Sequence, residues 1–162
     1  MEALRQIDSW DAAHAAAAAV RPGGVVARHG DNGHVFRWAS ITKPATALAV
    51  MVAVEEGVVD LDEPAGPEGS TVRHLLAHAS GLPFHDGPPI AATGTRRIYS
   101  NQGFDVLSAH VAAAAEMPFD RYLAEAVFGP LAMEAELRGS AGSEGHGTLE
   151  DAARLAHELL RP

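Results

Sequence analysis

The sequence predicts an α+β fold: short strands near the start of the chain, followed by helices to its end. Three observations carry that expectation. Two short apolar runs, "AAAAAV" (15–20) and "VVARHG" (25–30), flank the turn signal "RPGG". The stretch from Thr42 to Glu56 has helical spacing and is apolar on nearly every face, which suits a helix buried on all sides. From about residue 70 onward, helical patterns follow one another to the end.

The elements are taken in order. Alanine favours helix, but Pro22-Gly23-Gly24 between two short apolar runs and the β-branched "VVA" favour a hairpin. "GDNG" makes a second turn, and "HVFRWA" (34–39) reads as a short strand. Gly57 ends the helix that starts at Thr42. "GPEGS" leads into a helix at about 71–79, and "SGLPFHDGPPIAATGT" is a long loop without periodicity. Helices are expected at about 102–116 and 119–128, then a Gly/Ser loop, "RGSAGSEGHG" (138–147). Thr148 with Asp151 forms a capping box for a last helix reaching Leu160. No repeat or linker divides the chain. It reads as one domain over 1–162, with strands at about 15–39, one central helix at about 42–56 and a helical region at about 70–161.

Composition narrows the function. The chain of 162 residues carries a formal net charge of −9, so it repels phosphate backbones and anionic membranes. No basic cluster interleaves with aromatics, and neither nucleic acid nor membrane is an expected partner. The absence of cysteine excludes disulfides and thiol chemistry. "MEALRQIDSWD" lacks a basic segment followed by an apolar one, so a cytoplasmic location is expected.

Chemistry concentrates around Lys43, the single lysine in a chain with eleven arginines. Arginine stays protonated at any pH an enzyme meets, whereas lysine can be driven neutral and accept a proton. Ser40 lies where strand meets helix, and Lys43 lies one turn along on the same face. The helix N-terminus adds positive potential and free N–H groups there. "IYSN" supplies Tyr99 and Asn101. A phenol beside a cationic lysine can have its pKa lowered and act as a base. The asparagine amide can bond both the lysine and a substrate carbonyl.

Other groups read as structural. His74 and His78 sit four apart on a helix, but two histidines one turn apart are common without metal, and His78 is expected to pack or to cap the turn at Ser80-Gly81. Tyr122 reads as core or rim, and Asp60, Asp62 and Glu63 as a solvated acidic turn. The glycines of 139–147 lack a phosphate-loop pattern. No metal and no cofactor are expected.

"SITK" followed by "YSN" resembles the serine β-lactamase and penicillin-binding superfamily, in particular the branch of class C β-lactamases, D-alanyl-D-alanine carboxypeptidases and related esterases. "VEEGVVDLDEP", "TVRHLLAHASGLP", "FDRYLAEAVFGPLAM" and "GTLEDAARLAHELL" are similar to further segments of that branch. The resemblance implies a β-lactamase-like fold, an antiparallel sheet with flanking helices plus a helical domain, in which Ser40 is the acylated nucleophile and Lys43 assists proton transfer. Tyr99 would be general base and leaving-group acid, and Asn101 would orient Lys43 and substrate. The Ser40 N–H would form half of the oxyanion hole. Substrates would be small esters, amides or β-lactams.

The branch's third motif, Lys or His, any residue, then Gly, lies on a strand after the helical region. Here the one His-x-Gly, His85-Asp86-Gly87, precedes Tyr99 and is in the wrong order. The expectation is therefore the N-terminal part of one β-lactamase-like domain, with the C-terminal strands absent and a sheet edge left open. That edge would suit a C-terminal fragment or self-association. The competing function is a non-catalytic fragment that binds a partner there.

Overall fold

The structure is a computed structural model and describes residues 2–161. A 3₁₀ segment, Glu2–Ser9, buries Ile7 and leads to the hairpin. Strand β1 (Ala16–Arg21) pairs antiparallel with β2 (Gly24–Gly30), Ala16 opposite Gly30 and Arg21 opposite Gly24. Gly24 takes φ +115 at the turn, a conformation open to glycine. The turn thus decides the pairing and overrides alanine's helix preference.

Strand β3 (Phe36–Arg37) runs into a 3₁₀ turn at Ala39–Ile41 and then helix α1 (Thr42–Glu55). Ala45, Ala49, Val50 and Ala53 of α1 are completely buried, but Pro44 and Met51 are exposed, so the helix packs its alanine face into the core and is not buried on all sides as its apolar pattern suggests. Helix α2 (Val72–Leu76) is capped by the Thr71 side chain, which accepts from the His74 N–H. Helix α3 (Asn101–Ala114) is capped by Ser100, which accepts from the Gly103 N–H. Helix α4 (Phe119–Leu123) continues as a π-helical turn over Ala124–Phe128. Leu75, Leu107, Val111 and Leu123 close the core around α1.

The segment 138–147 is more than a loop. It contains β5 (Gly145–Gly147), which lies between β3 and β4 (Glu136–Leu137) in a small antiparallel sheet. So the strands form two separate sheets, and two strands fall within the expected helical region. The glycines of β5 serve close approach. A Cβ on Gly147 would lie 2.4 Å from Trp38 Cζ2, and one on Gly145 would lie 2.8 Å from Thr42 Oγ1. Helix α5 (Leu149–Leu159) opens with the Thr148/Asp151 capping box and packs over β1. Among the described residues no helix is long and apolar enough to cross a membrane.

Candidate active site

Trp38 fixes the point where strand becomes helix. Its backbone N–H donates to the Gly145 carbonyl at 2.8 Å, and its indole N–H donates to the Gly147 carbonyl at 3.2 Å. Ala39 follows in the left-handed region, φ +46, which costs a residue with a Cβ about 1 kcal/mol or more. Thr42 offsets that strain: its hydroxyl donates to the Ala39 carbonyl at 2.6 Å and accepts the Gly145 N–H at 2.9 Å. Ser40 is thereby presented, exposed, on a turn clamped between β5 and α1.

Lys43 lies one helical turn on and is buried. Its Nζ donates to Ser40 Oγ at 3.4 Å, to Asn101 Oδ1 at 2.5 Å and to the Gly142 carbonyl at 2.8 Å. An ammonium has three protons, and three acceptors surround it. The same Nζ stands 4.5 Å from the Tyr99 ring centre and 5.6 Å from that of Phe104. Burial alone would raise the Tyr99 phenol. Hydrogen bonding to Ser40 and Lys43, with the charges of Lys43 and Arg97, outweighs burial and brings it below its ordinary value. Ser40, Lys43, Tyr99 and Asn101, spread over sixty residues of sequence, are thus brought into one group.

Gly142 was not singled out by motif. A Cβ there would press to 3.1 Å from Asn101 Cα, so glycine is what lets this carbonyl reach Lys43. The signal was present only as one glycine among many. The Ala141 carbonyl accepts from the Thr46 hydroxyl at 2.8 Å, which ties the same segment to α1. His78 does not cap the turn at Ser80-Gly81; its Nδ1 accepts the Ser100 N–H at 3.1 Å. Phe84, His85 and Asp86 of the long loop line a cleft of about 450 Å³ together with Asn101, Gln102 and Ser143. His85 therefore borders the group without joining it.

The residues read as structural have local partners. The Tyr122 hydroxyl donates to Glu56 at 2.6 Å. The acidic turn is solvated as expected, with Asp60 and Asp62 exposed, and it is also paired: Arg73 bridges both Asp62 oxygens, at 2.8 and 2.9 Å, and Glu63 meets His110 at 2.5 Å. His74 Nδ1 is engaged by the Thr71 hydroxyl at 2.9 Å. Among the described residues the cluster with metal-ligating geometry is His14, Asp31 and His34, whose ligand atoms lie within 4.8 Å of one another; none of them belongs to the Ser40 group.

The family model described as Beta-lactamase matches residues 6–153. The chain belongs to the β-lactamase family. This β-lactamase-family chain is 52% identical to a β-lactamase from Mycobacterium bovis, with a TM-score of 0.95 over 99% of this chain and 60% of that one. An octameric penicillin-binding protein homologue from Pyrococcus abyssi, 20% identical, shares the fold with a TM-score of 0.74 over 86% of this chain and 50% of that one. Penicillin-binding protein 4* of Bacillus subtilis (strain 168) is 27% identical over 132 residues, which cover 61% of this chain and 29% of that protein. The chain thus spans less than two thirds of each. The α+β, β-lactamase-like fold expected from the sequence is the fold found.

Proposed function

We propose that this β-lactamase-family chain forms an acyl-enzyme on Ser40 with a small ester, amide or β-lactam. The observation that carries the reading is the contact of Lys43 Nζ with Ser40 Oγ, 3.4 Å, while Asn101 and Gly142 hold the same nitrogen. The chain's likeness to a β-lactamase and a penicillin-binding protein supports amide-like and β-lactam substrates.

In this reading Ser40 Oγ attacks the substrate carbonyl carbon and its proton passes to the Tyr99 oxygen. The lowered phenol is suited to that task, because a base works best when its pKa lies near the operating pH. Lys43 Nζ stands beside the phenol and favours its ionised form. The Ser40 N–H donates to the developing oxyanion. Collapse breaks the carbonyl C–N or C–O bond, and Tyr99 returns the proton to the leaving group. Water then attacks the ester carbon, releases the acid and regenerates Ser40 Oγ–H. Asn101 holds Lys43 and offers its amide N–H to substrate.

The test is covalent labelling. A fluorophosphonate and a fluorescent penicillin are expected to label the folded wild-type chain and to leave Ser40→Ala unlabelled. A folded wild type that neither probe labels at any pH or concentration overturns the reading.

A further inference from the structure

We propose that His78 is a positioning residue for Tyr99: in its neutral form it grips the backbone on both sides of Tyr99, and protonation of its ring releases that grip. This rests on the reading of Tyr99 as the proton acceptor for Ser40.

The geometry is specific. His78 is buried and follows α2 in the left-handed region, φ +59. Few residues with a Cβ adopt that conformation without a tertiary reason. Here it lets both its backbone and its ring face the same extended segment, 98–100. The His78 carbonyl accepts the Ile98 N–H at 2.8 Å, and Nδ1 accepts the Ser100 N–H at 3.1 Å. Residue 99 is therefore held from either side by one residue. The imidazole also lies 4.6 Å from the Tyr99 ring and 5.2 Å from the Phe104 ring. Ser100 itself caps α3, so the grip extends to Asn101, the first residue of that helix.

Hydrogen-bond logic assigns the proton. A backbone N–H only donates, so Nδ1 must carry a lone pair and the ring proton sits on Nε2. An imidazolium has no lone pair and cannot accept the Ser100 N–H. The charged groups facing the ring are Lys43 from α1 and Arg97 from the loop, both cations, while α3 offers the apolar Phe104. Burial first, then the charges of Lys43 and Arg97, hold the imidazole pKa below its ordinary 6.5. The sign follows: the grip is intact above pH 6.5 and is lost as pH falls through the lower folded value. The site thus contains an acid limb that does not depend on Tyr99 or Lys43 changing charge.

Two substitutions separate the ring from the acceptor. His78→Asn places an amide oxygen near the position of Nδ1 and tolerates positive φ. His78→Phe keeps the ring and removes the acceptor. Two readouts are used: the rate of Ser40 acylation by a fluorophosphonate against pH, and NMR titration of the Tyr99 phenol and the Ser100 amide. Tyr122, pushed far up by burial and Glu56, leaves the Tyr99 titration isolated.

In wild type the Ser100 amide and the His78 ring are expected to titrate with one shared midpoint below pH 6.5, and acylation to fall there more steeply than loss of the Tyr99 phenolate alone requires. His78→Asn is expected to keep acylation within about threefold at neutral pH and to lose that extra fall, keeping only the dependence set by Tyr99. His78→Phe is expected to acylate at least about tenfold more slowly, the scale of a misplaced reacting group, with the Tyr99 titration displaced. A folded His78→Phe with wild-type rate and Tyr99 titration overturns the proposal, as does a steeper fall below pH 6.5 that survives in His78→Asn. If wild type proves inert to the probe, the serine hydrolase reading fails. The NMR titrations of wild type and His78→Asn then still decide whether His78 holds the Tyr99 segment: coincident Ser100 and His78 midpoints support it, and an unresponsive Ser100 amide overturns it.

Discussion

Lys43 shows why a single side chain can carry so much of a site. Its nitrogen meets Ser40, Asn101 and Gly142 at once, in a buried position. A guanidinium is planar and longer, and cannot put one nitrogen among those three acceptors. Lys43→Arg is therefore expected to abolish Ser40 labelling nearly as fully as Lys43→Ala, measured as the rate of fluorophosphonate acylation. An arginine variant that keeps most of the rate would mean that charge alone suffices. Tyr99→Phe, folded, is expected to slow acylation by roughly 10²-fold or more, the usual loss for a missing general base. The pH dependence has a definite sign. The Tyr99 phenol lies below its ordinary 10.0, so acylation is expected to rise with pH, with a midpoint below that value. Lys43→Met removes a charge that favours the phenolate and is expected to move the midpoint upward in a tyrosine titration.

At the scale of elements, β5 is the piece that makes the Ser40 turn rigid. Its glycines let backbone lie directly on Trp38 and Thr42, which hold the left-handed Ala39. Gly147→Ala forces a methyl into the Trp38 ring and is expected to destabilise by about 1–3 kcal/mol, the usual cost of overpacking. Urea denaturation reads the stability, and slower Ser40 labelling in the folded fraction reads the displaced turn. A neutral effect on both would mean that β5 does not brace the site. Directly after this strand, Thr148→Ala removes a hydroxyl that accepts the Asp151 N–H at 3.2 Å. It is expected to cost about 1 kcal/mol, as N-caps do, with no change in acylation rate per folded molecule.

For the whole molecule, the hairpin is the exposed element. Among the described residues β1 and β2 pair only with each other, and Val26 of β2 is 50% exposed. Unpaired strand edges invite pairing with another chain, and charged side chains on an edge suppress it. Concentration-dependent self-association is expected in sedimentation velocity, reduced by Val26→Lys. A wild type that stays monomeric at high concentration would show the edge to be protected in another way.

The sequence by itself determined the fold class, the hairpin with its turn, the buried α1 and the capped α5, because each rests on local chemistry: a Pro-Gly-Gly turn, an apolar periodicity, a Thr-x-x-Asp box. It also singled out Ser40, Lys43, Tyr99 and Asn101, because a lone lysine and a scarce Tyr-x-Asn stand out in this composition. Tertiary structure decided the rest. That Gly142 would give Lys43 its third acceptor, that 138–147 would hold a strand, and that His78 would bind the Ser100 N–H all depend on backbone groups meeting across long separations. Every residue has the same N–H and C=O, so sequence carries no mark of which carbonyl will be used. A glycine that permits close approach also looks, in sequence, the same as one that loosens a loop. Only packing distinguishes them, since it alone sets which atoms would stand where a Cβ would be.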